Sequence, residues 1–76
     1  MGRISNKDWC KKFGERLDDE MRYRGLTESY LSAITGFSER SICNWRNGKS
    51  TPSAYAMDVL CKTLGLEYDE LYPKSY

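Results

Sequence analysis

Between positions 26 and 48 one pattern of helix signals is written twice in succession. Leu26-Thr27 followed by Leu31 places a capping hydroxyl between two apolar residues, and Thr35-Gly36 closes the segment. Phe37-Ser38 followed by Ile42 repeats the arrangement, and Asn47-Gly48 closes it. A Thr or Ser at the cap accepts a hydrogen bond from an otherwise unpaired helix N–H. The apolar residue before the cap packs on one a turn inside the helix. A glycine past the last turn takes the left-handed conformation that ends it. Each segment is about eight residues, too short to persist as an isolated helix in water. Two such helices joined through Gly36 form a helix-turn-helix by pattern, and other elements must cover them.

The flanking sequence supplies those elements. Trp9, Phe13, Leu17 and Met21 recur every fourth residue with charges between them, which predicts an amphipathic helix near 8–24 ended by Gly25. In the second helix Tyr30, Leu31 and Ile34 are the expected buried stripe; in the third, Ile42 and Trp45 face inward. After the polar stretch Lys49-Ser50-Thr51 and Pro52, Ser53 caps a fourth helix with Ala54, Met57, Leu60, Cys61 and Leu64 on its buried face, ended by Gly65. Residues 67–72 are expected to make one last turn stopped by Pro73. No alternating strand pattern appears, and the helical spacing of Ile42 and Trp45 makes Asn47-Gly48 a helix end rather than a hairpin. The expected fold is all-α in one domain, residues 8–72, with a flexible N-terminal arm at 1–7 and a tail at 73–76. At 76 residues the core is small, and about 3–5 kcal/mol of net stability is expected.

Composition narrows the function. With no histidine, the commonest general base and nucleophile activator is missing, and Asp18-Asp19-Glu20 lies on an exposed helical arc rather than as a facing pair; an enzyme is not expected. Cys10, Cys43 and Cys61 are far apart, so no zinc site, metal or other cofactor is expected, and the thiols are read as free in a reducing cytoplasm. No apolar run spans a membrane and the first residues lack a signal-peptide core. Twelve Lys and Arg stand against 11 Asp and Glu, a balance that names no polyanionic partner by itself. Locally, residues 38–52 hold Arg40, Arg46 and Lys49 against Glu39 alone, whereas 53–76 hold Lys62 and Lys74 against Asp58, Glu67, Asp69 and Glu70. The basic side is the motif side.

Taken in order, Gly25-Leu26-Thr27, Leu31, Gly36-Phe37-Ser38, Ser41-Ile42, Trp45-x-x-Gly48-Lys49, Pro52-Ser53, Leu64-Gly65-Leu66 and Asp69-Glu70-Leu71 resemble the lambda-repressor-like family of phage repressors, Cro proteins and related bacterial regulators. The resemblance covers about residues 13–72. It implies a compact five-helix fold with the helix-turn-helix formed by helices 2 and 3, and a sequence-specific regulator of transcription, expected to be a repressor, that reads double-stranded DNA with helix 3. Departures from the family pattern are Ser32 in place of Ala, Glu28 in place of Gln, and Met21 with Arg46 where the family often pairs an Arg with a Glu. Since both members of that pair are changed, Arg46 is expected to be free for phosphate or a partner subunit.

Carried over position by position, the resemblance makes Ser38, Glu39, Arg40 and Asn44 the base-contacting residues. Helical geometry agrees for two of them: with Ile42 and Trp45 inward, Arg40 and Asn44 fall on the opposite face, four apart. Arg40 suits guanine O6 and N7, Asn44 suits adenine N6 and N7, and Glu39 either accepts from cytosine N4 or only favours the helix N-terminus. Thr27, Asn47 and Lys49 match phosphate-contact positions, with Ser50 and Thr51 beside them. Arg3, Lys7, Lys11 and Lys12 are either a DNA-wrapping arm or solubilising charges. Two copies are expected to act as a homodimer, with Arg46, Tyr55, Val59 and Tyr72 at the interface. The alternative is an antitoxin-like or other protein-interaction module on the same fold; RNA binding is weaker, since no RNP-like or GXXG segment is present. No small-molecule ligand is evident.

Overall fold

The computed structural model describes residues 6–71 and the side chains of 8–71. Among these residues there are five helices and no strand: α1 (Asn6–Arg24), α2 (Glu28–Thr35), α3 (Glu39–Arg46), α4 (Ala54–Leu64) and α5 (Tyr68–Leu71). α1 starts two residues earlier than the expected position 8. Arg3, Tyr72, the tail 73–76 and most of the arm lie outside the described residues.

Local chemistry sets the boundaries. Thr27 Oγ1 accepts from Tyr30 N–H at 3.0 Å, Ser38 Oγ from Ser41 N–H at 3.1 Å and Ser53 Oγ from Ala56 N–H at 3.1 Å. Each hydroxyl satisfies one of the N–H groups that a helix start leaves without an intrahelical partner. α5 is held differently: Glu67 N–H donates to Glu70 Oε1 at 2.7 Å, half of a capping box. Gly36 has φ +85°, and its N–H donates to Ser32 O at 2.9 Å, so the chain leaves α2 through the left-handed region.

The core gathers one stripe from each helix. Phe13, Leu17 and Met21 of α1, Leu31 of α2, Ile42 of α3, Leu60 and Leu64 of α4, and Leu71 of α5 are fully buried or within a few per cent of it. Each such side chain contributes about 1.5–3 kcal/mol relative to exposure. Two expected stripes need correction. Tyr30 and Ile34 are 54% and 48% exposed: the inward face of α2 turns from Leu31 to Thr35, four residues on, rather than to Ile34, three on. Ala54 is exposed and Ala56 takes its place on the buried face of α4, because the first helical residue lies at the rim of the core.

α1 crosses α3 at Gly14. A Cβ at that position would stand 2.5 Å from Trp45 O and 2.7 Å from Arg46 O. A mid-helix glycine costs about 1 kcal/mol against alanine; here it lets two backbones touch and fixes how α3 sits on the molecule. Arg16 Nε donates to Glu70 O at 2.7 Å and fastens α5 to α1. None of the described helices is long and apolar enough to cross a membrane.

Candidate nucleic-acid interface

The residues that shape the turn into α3 act at short range and on the backbone. Ser32 Oγ donates to Phe37 O at 2.6 Å, Phe37 N–H donates to Thr35 Oγ1 at 3.2 Å, and Thr35 Oγ1 donates to Leu31 O at 2.7 Å. The turn between α2 and α3 is thus sutured by side chains of α2, and the serine that departs from the family's alanine is one of the stitches. Phe37 seals the turn against the core, edge-on to Trp45 at 5.4 Å and to Tyr55 at 6.2 Å. Ile42 is fully buried and Trp45 is 7% exposed, so Trp45 is a core residue of this domain.

With that face committed, the opposite face of α3 presents Arg40, exposed, and Asn44, half-buried, one turn beyond it, while Glu39, exposed in the first turn, lies to one side. Ser38 is exposed, but its hydroxyl is engaged in capping, accepting from Ser41 N–H and bonding Ser41 Oγ at 3.0 Å. Thr27 caps α2 at the near end of the motif. Asn47, exposed, ends α3 and places Nδ2 at 3.3 Å from Cys43 Sγ. Lys49 is exposed, its N–H donating to Asn44 O at 2.9 Å; Ser50 beside it is half-buried and Thr51 exposed. The four base-directed positions therefore lie at the start and along one side of α3, and the phosphate-directed positions flank them at the start of α2 and in the segment between α3 and α4.

Arg46 is not free. Its Nε and Nη2 donate to Asp18 Oδ1, the Nε bond at 3.0 Å, and its Nη1 donates to Glu28 Oε2 at 3.0 Å. Asp18 Oδ2 is held in turn by Arg22 at 2.8 Å. One guanidinium thereby ties α1, α2 and α3 together. The hydrogen bond from Arg46 holds the Asp18 carboxyl below its ordinary value against the opposing effect of burial, and the same bond raises Arg46. The expectation of a released Arg46 failed because Asp18, one turn before Met21, supplies the carboxylate from a different position. Glu28, the acid that stands where the family has Gln, has its charge offset by the same arginine.

The remaining cations sort cleanly. Arg16, Arg22, Arg24, Arg46 and Lys62 each pair with a carboxylate, whereas Lys11, Lys12, Arg40 and Lys49 make no ion pair among the described residues. Sequence reasoning missed the roles of Gly14, Asp18 and Ser32; the glycine inside an otherwise amphipathic helix was the available signal. Cys10 and Cys61 are buried, Cys43 half-buried, and all three are free thiols. Of the expected interface residues, Tyr55 is 72% exposed and Val59 half-buried.

Solved structures share this fold. The restriction-modification controller protein C.AhdI from Aeromonas hydrophila superposes with a TM-score of 0.78 at 25% identity, covering 83% of this chain and 96% of its own. An HTH_3 family transcriptional regulator from Vibrio cholerae gives 0.81 at 16% identity, covering 88% of this chain and 38% of its own. The BldD DNA-binding domain from S. venezulae gives 0.75 at 16% identity, covering 86% and 97%. The last two are likenesses of fold. No match was found among curated proteins. The family profile of the Cro/C1-type HTH DNA-binding domain matches residues 16–72, which takes in the whole motif, α4, α5 and the second half of α1. On that match, with the fold and the α2–α3 geometry in agreement, the chain belongs to the Cro/C1-type helix-turn-helix DNA-binding domain family.

Proposed function

We propose that this protein is a sequence-specific regulator of transcription, acting as a repressor, that lays α3 in the major groove of duplex DNA. The observation that carries the reading is the state of α3. It is capped at its start, crossed by α1 at van der Waals contact and anchored by Ile42 and Trp45, yet it keeps Arg40 without an ion pair among the described residues and Asn44 one turn along the same side. Arg40 is suited to guanine O6 and N7, and Asn44 to adenine N6 and N7. Glu39 accepts from cytosine N4, and Ser38 brings the start of α3 to the groove edge. Thr27, Asn47, Lys49, Ser50 and Thr51 hold the flanking phosphates, aided by the N–H groups at the two helix starts.

The unpaired basic set is small, so one copy binds weakly and two acting together raise affinity without new contacts to either. Tyr55 and Val59, four apart on α4, form the proposed dimer contact, with Tyr72 beyond the described residues; Arg46, committed to Asp18 and Glu28, contributes through the position of α3. Occupancy of an operator by such a dimer blocks a promoter, which is the basis of the repressor assignment. C.AhdI, a controller of a restriction-modification system, sets a precedent for a regulator of this size. The cytoplasm, where such an operator lies, is the proposed location.

The test is binding of labelled duplexes followed by anisotropy, with Arg40→Ala beside the wild type. Arg40→Ala is expected to weaken specific binding by about 1–3 kcal/mol and to relax preference at one base pair. A wild-type protein that binds no duplex at low salt, but captures a protein partner through Tyr55, would instead support an interaction module.

A further inference from the structure

Gly48 lies at φ +73°, and a Cβ there would stand 3.1 Å from Lys11 Cα, 3.4 Å from Lys11 N and 3.5 Å from Cys10 O. The turn after α3 therefore rests directly on the backbone of α1 at Lys11, one residue before Lys49. Helical spacing sets the direction. Lys11 precedes Gly14 by three residues and Asp18 by seven, so all three share the side of α1 that faces α3, where Gly14 meets the Trp45 and Arg46 carbonyls and Asp18 meets Arg46. Lys12, one residue on, falls on the outward side. Lys11 and Lys49 are both exposed and make no ion pair among the described residues, although Asp8 and Glu15 lie three and four residues from Lys11 on the same helix. Lys11 and Lys49 thus branch from neighbouring stretches of backbone with no shared carboxylate; two cations so placed repel one another, and an anion within reach of both offsets that cost.

We infer that Lys11 and Lys49 together form a phosphodiester clamp, in which α1 adds a DNA-backbone contact to those of the helix-turn-helix. The inference rests on the reading of α3 as the groove-bound helix, which puts the turn at residues 47–49 over the sugar-phosphate strand. It divides the N-terminal basic residues: Lys11 belongs to the interface by its contact with Gly48, and Lys12 is a solvated charge. The clamp carries no base information. It strengthens binding to every sequence and makes it more sensitive to salt.

Binding of a duplex carrying the selected site and of a random duplex is measured from 0.05 to 1 M salt for wild type, Lys11→Ala, Lys11→Arg and Lys12→Ala. Circular dichroism melts establish that each variant folds. Each phosphate neutralised adds about 0.9 to the slope of log affinity on log salt. Lys11→Ala is expected to lower that slope by about 0.9 per protomer, equally on both duplexes, which is about an eightfold loss for each bound protomer at 0.1 M salt that disappears toward 1 M. Lys11→Arg restores the slope and Lys12→Ala leaves it unchanged. If Lys11→Ala keeps the wild-type slope, or Lys12→Ala lowers it equally, the clamp is wrong while the groove reading stands. If the wild type itself shows no salt-dependent duplex binding, the groove reading fails and the clamp with it.

Discussion

Arg46 shows how one residue changes meaning between sequence and structure. Read along the chain it is a cation at the end of a helix on the basic side of the protein. In three dimensions it is the joint between α1, α2 and α3, bonded to Asp18 and Glu28. Arg46→Met keeps the aliphatic stem and removes the joint, leaving Glu28 without its cation and Asp18 with Arg22 alone. It is expected to cost about 1–3 kcal/mol, a large part of the stability of a domain this size, read as a lowered midpoint in urea. The pH dependence follows from Asp18. Its carboxyl titrates below its ordinary value of 3.8 in the folded chain because Arg46 bonds it. The stabilisation is therefore complete above the unfolded pKa, near 4, and is lost as pH falls through the lower folded value. Asp18→Asn should flatten the fall in stability below about pH 4 and leave the profile near pH 7 parallel to that of wild type. A fall as steep as that of wild type would remove Asp18 from the account.

At the scale of elements, the crossing of α1 over α3 sets the presentation of the motif. Gly14 faces two carbonyl oxygens of α3 that cannot move aside singly. Gly14→Ala gains about 1 kcal/mol of helix propensity, yet it should lower stability by about 1–3 kcal/mol through overpacking and shift the amide resonances of α3. A stabilised variant would mean that the two helices lie further apart. Trp45→Ala removes the aromatic anchor of α3 and is expected to cost about 3–5 kcal/mol, leaving the chain largely unfolded by circular dichroism; a folded variant that loses only DNA binding would place Trp45 on the interface. These elements were legible in the sequence to different degrees. The caps at Thr27, Ser38 and Ser53 and the glycine stops are local signals, and they appear where the pattern put them. The stripe of α2 was misread because an eight-residue helix offers too few turns to separate a three-residue from a four-residue step. The Arg46 network was hidden because its acids lie 28 and 18 residues away; the crossing at Gly14 brings Asp18 to it, and the packing of α2 on α3 brings Glu28.

For the whole molecule, the cations that brace the helices are distinct from those of the proposed DNA surface. Arginines 16, 22, 24 and 46 are bound to carboxylates and brace the helices, while the unpaired Arg40 and Lys49 lie along α3 and the turn that follows it. The proposed dimer extends that surface to two copies. Val59→Glu should give a folded monomer in sedimentation with greatly reduced operator affinity; a wild type that is monomeric at high concentration, both free and on DNA, would rule the dimer out. The most direct test of the central claim is selection of bound sites from random duplex DNA by the wild-type protein and by Arg40→Ala. Groove reading by α3 predicts a two-fold symmetric site with half-sites roughly 34–36 Å apart on one face of the duplex, and loss of preference at one base pair of each half-site in the variant. Selection of the same sequence by both proteins, or of no sequence by the wild type, would contradict it.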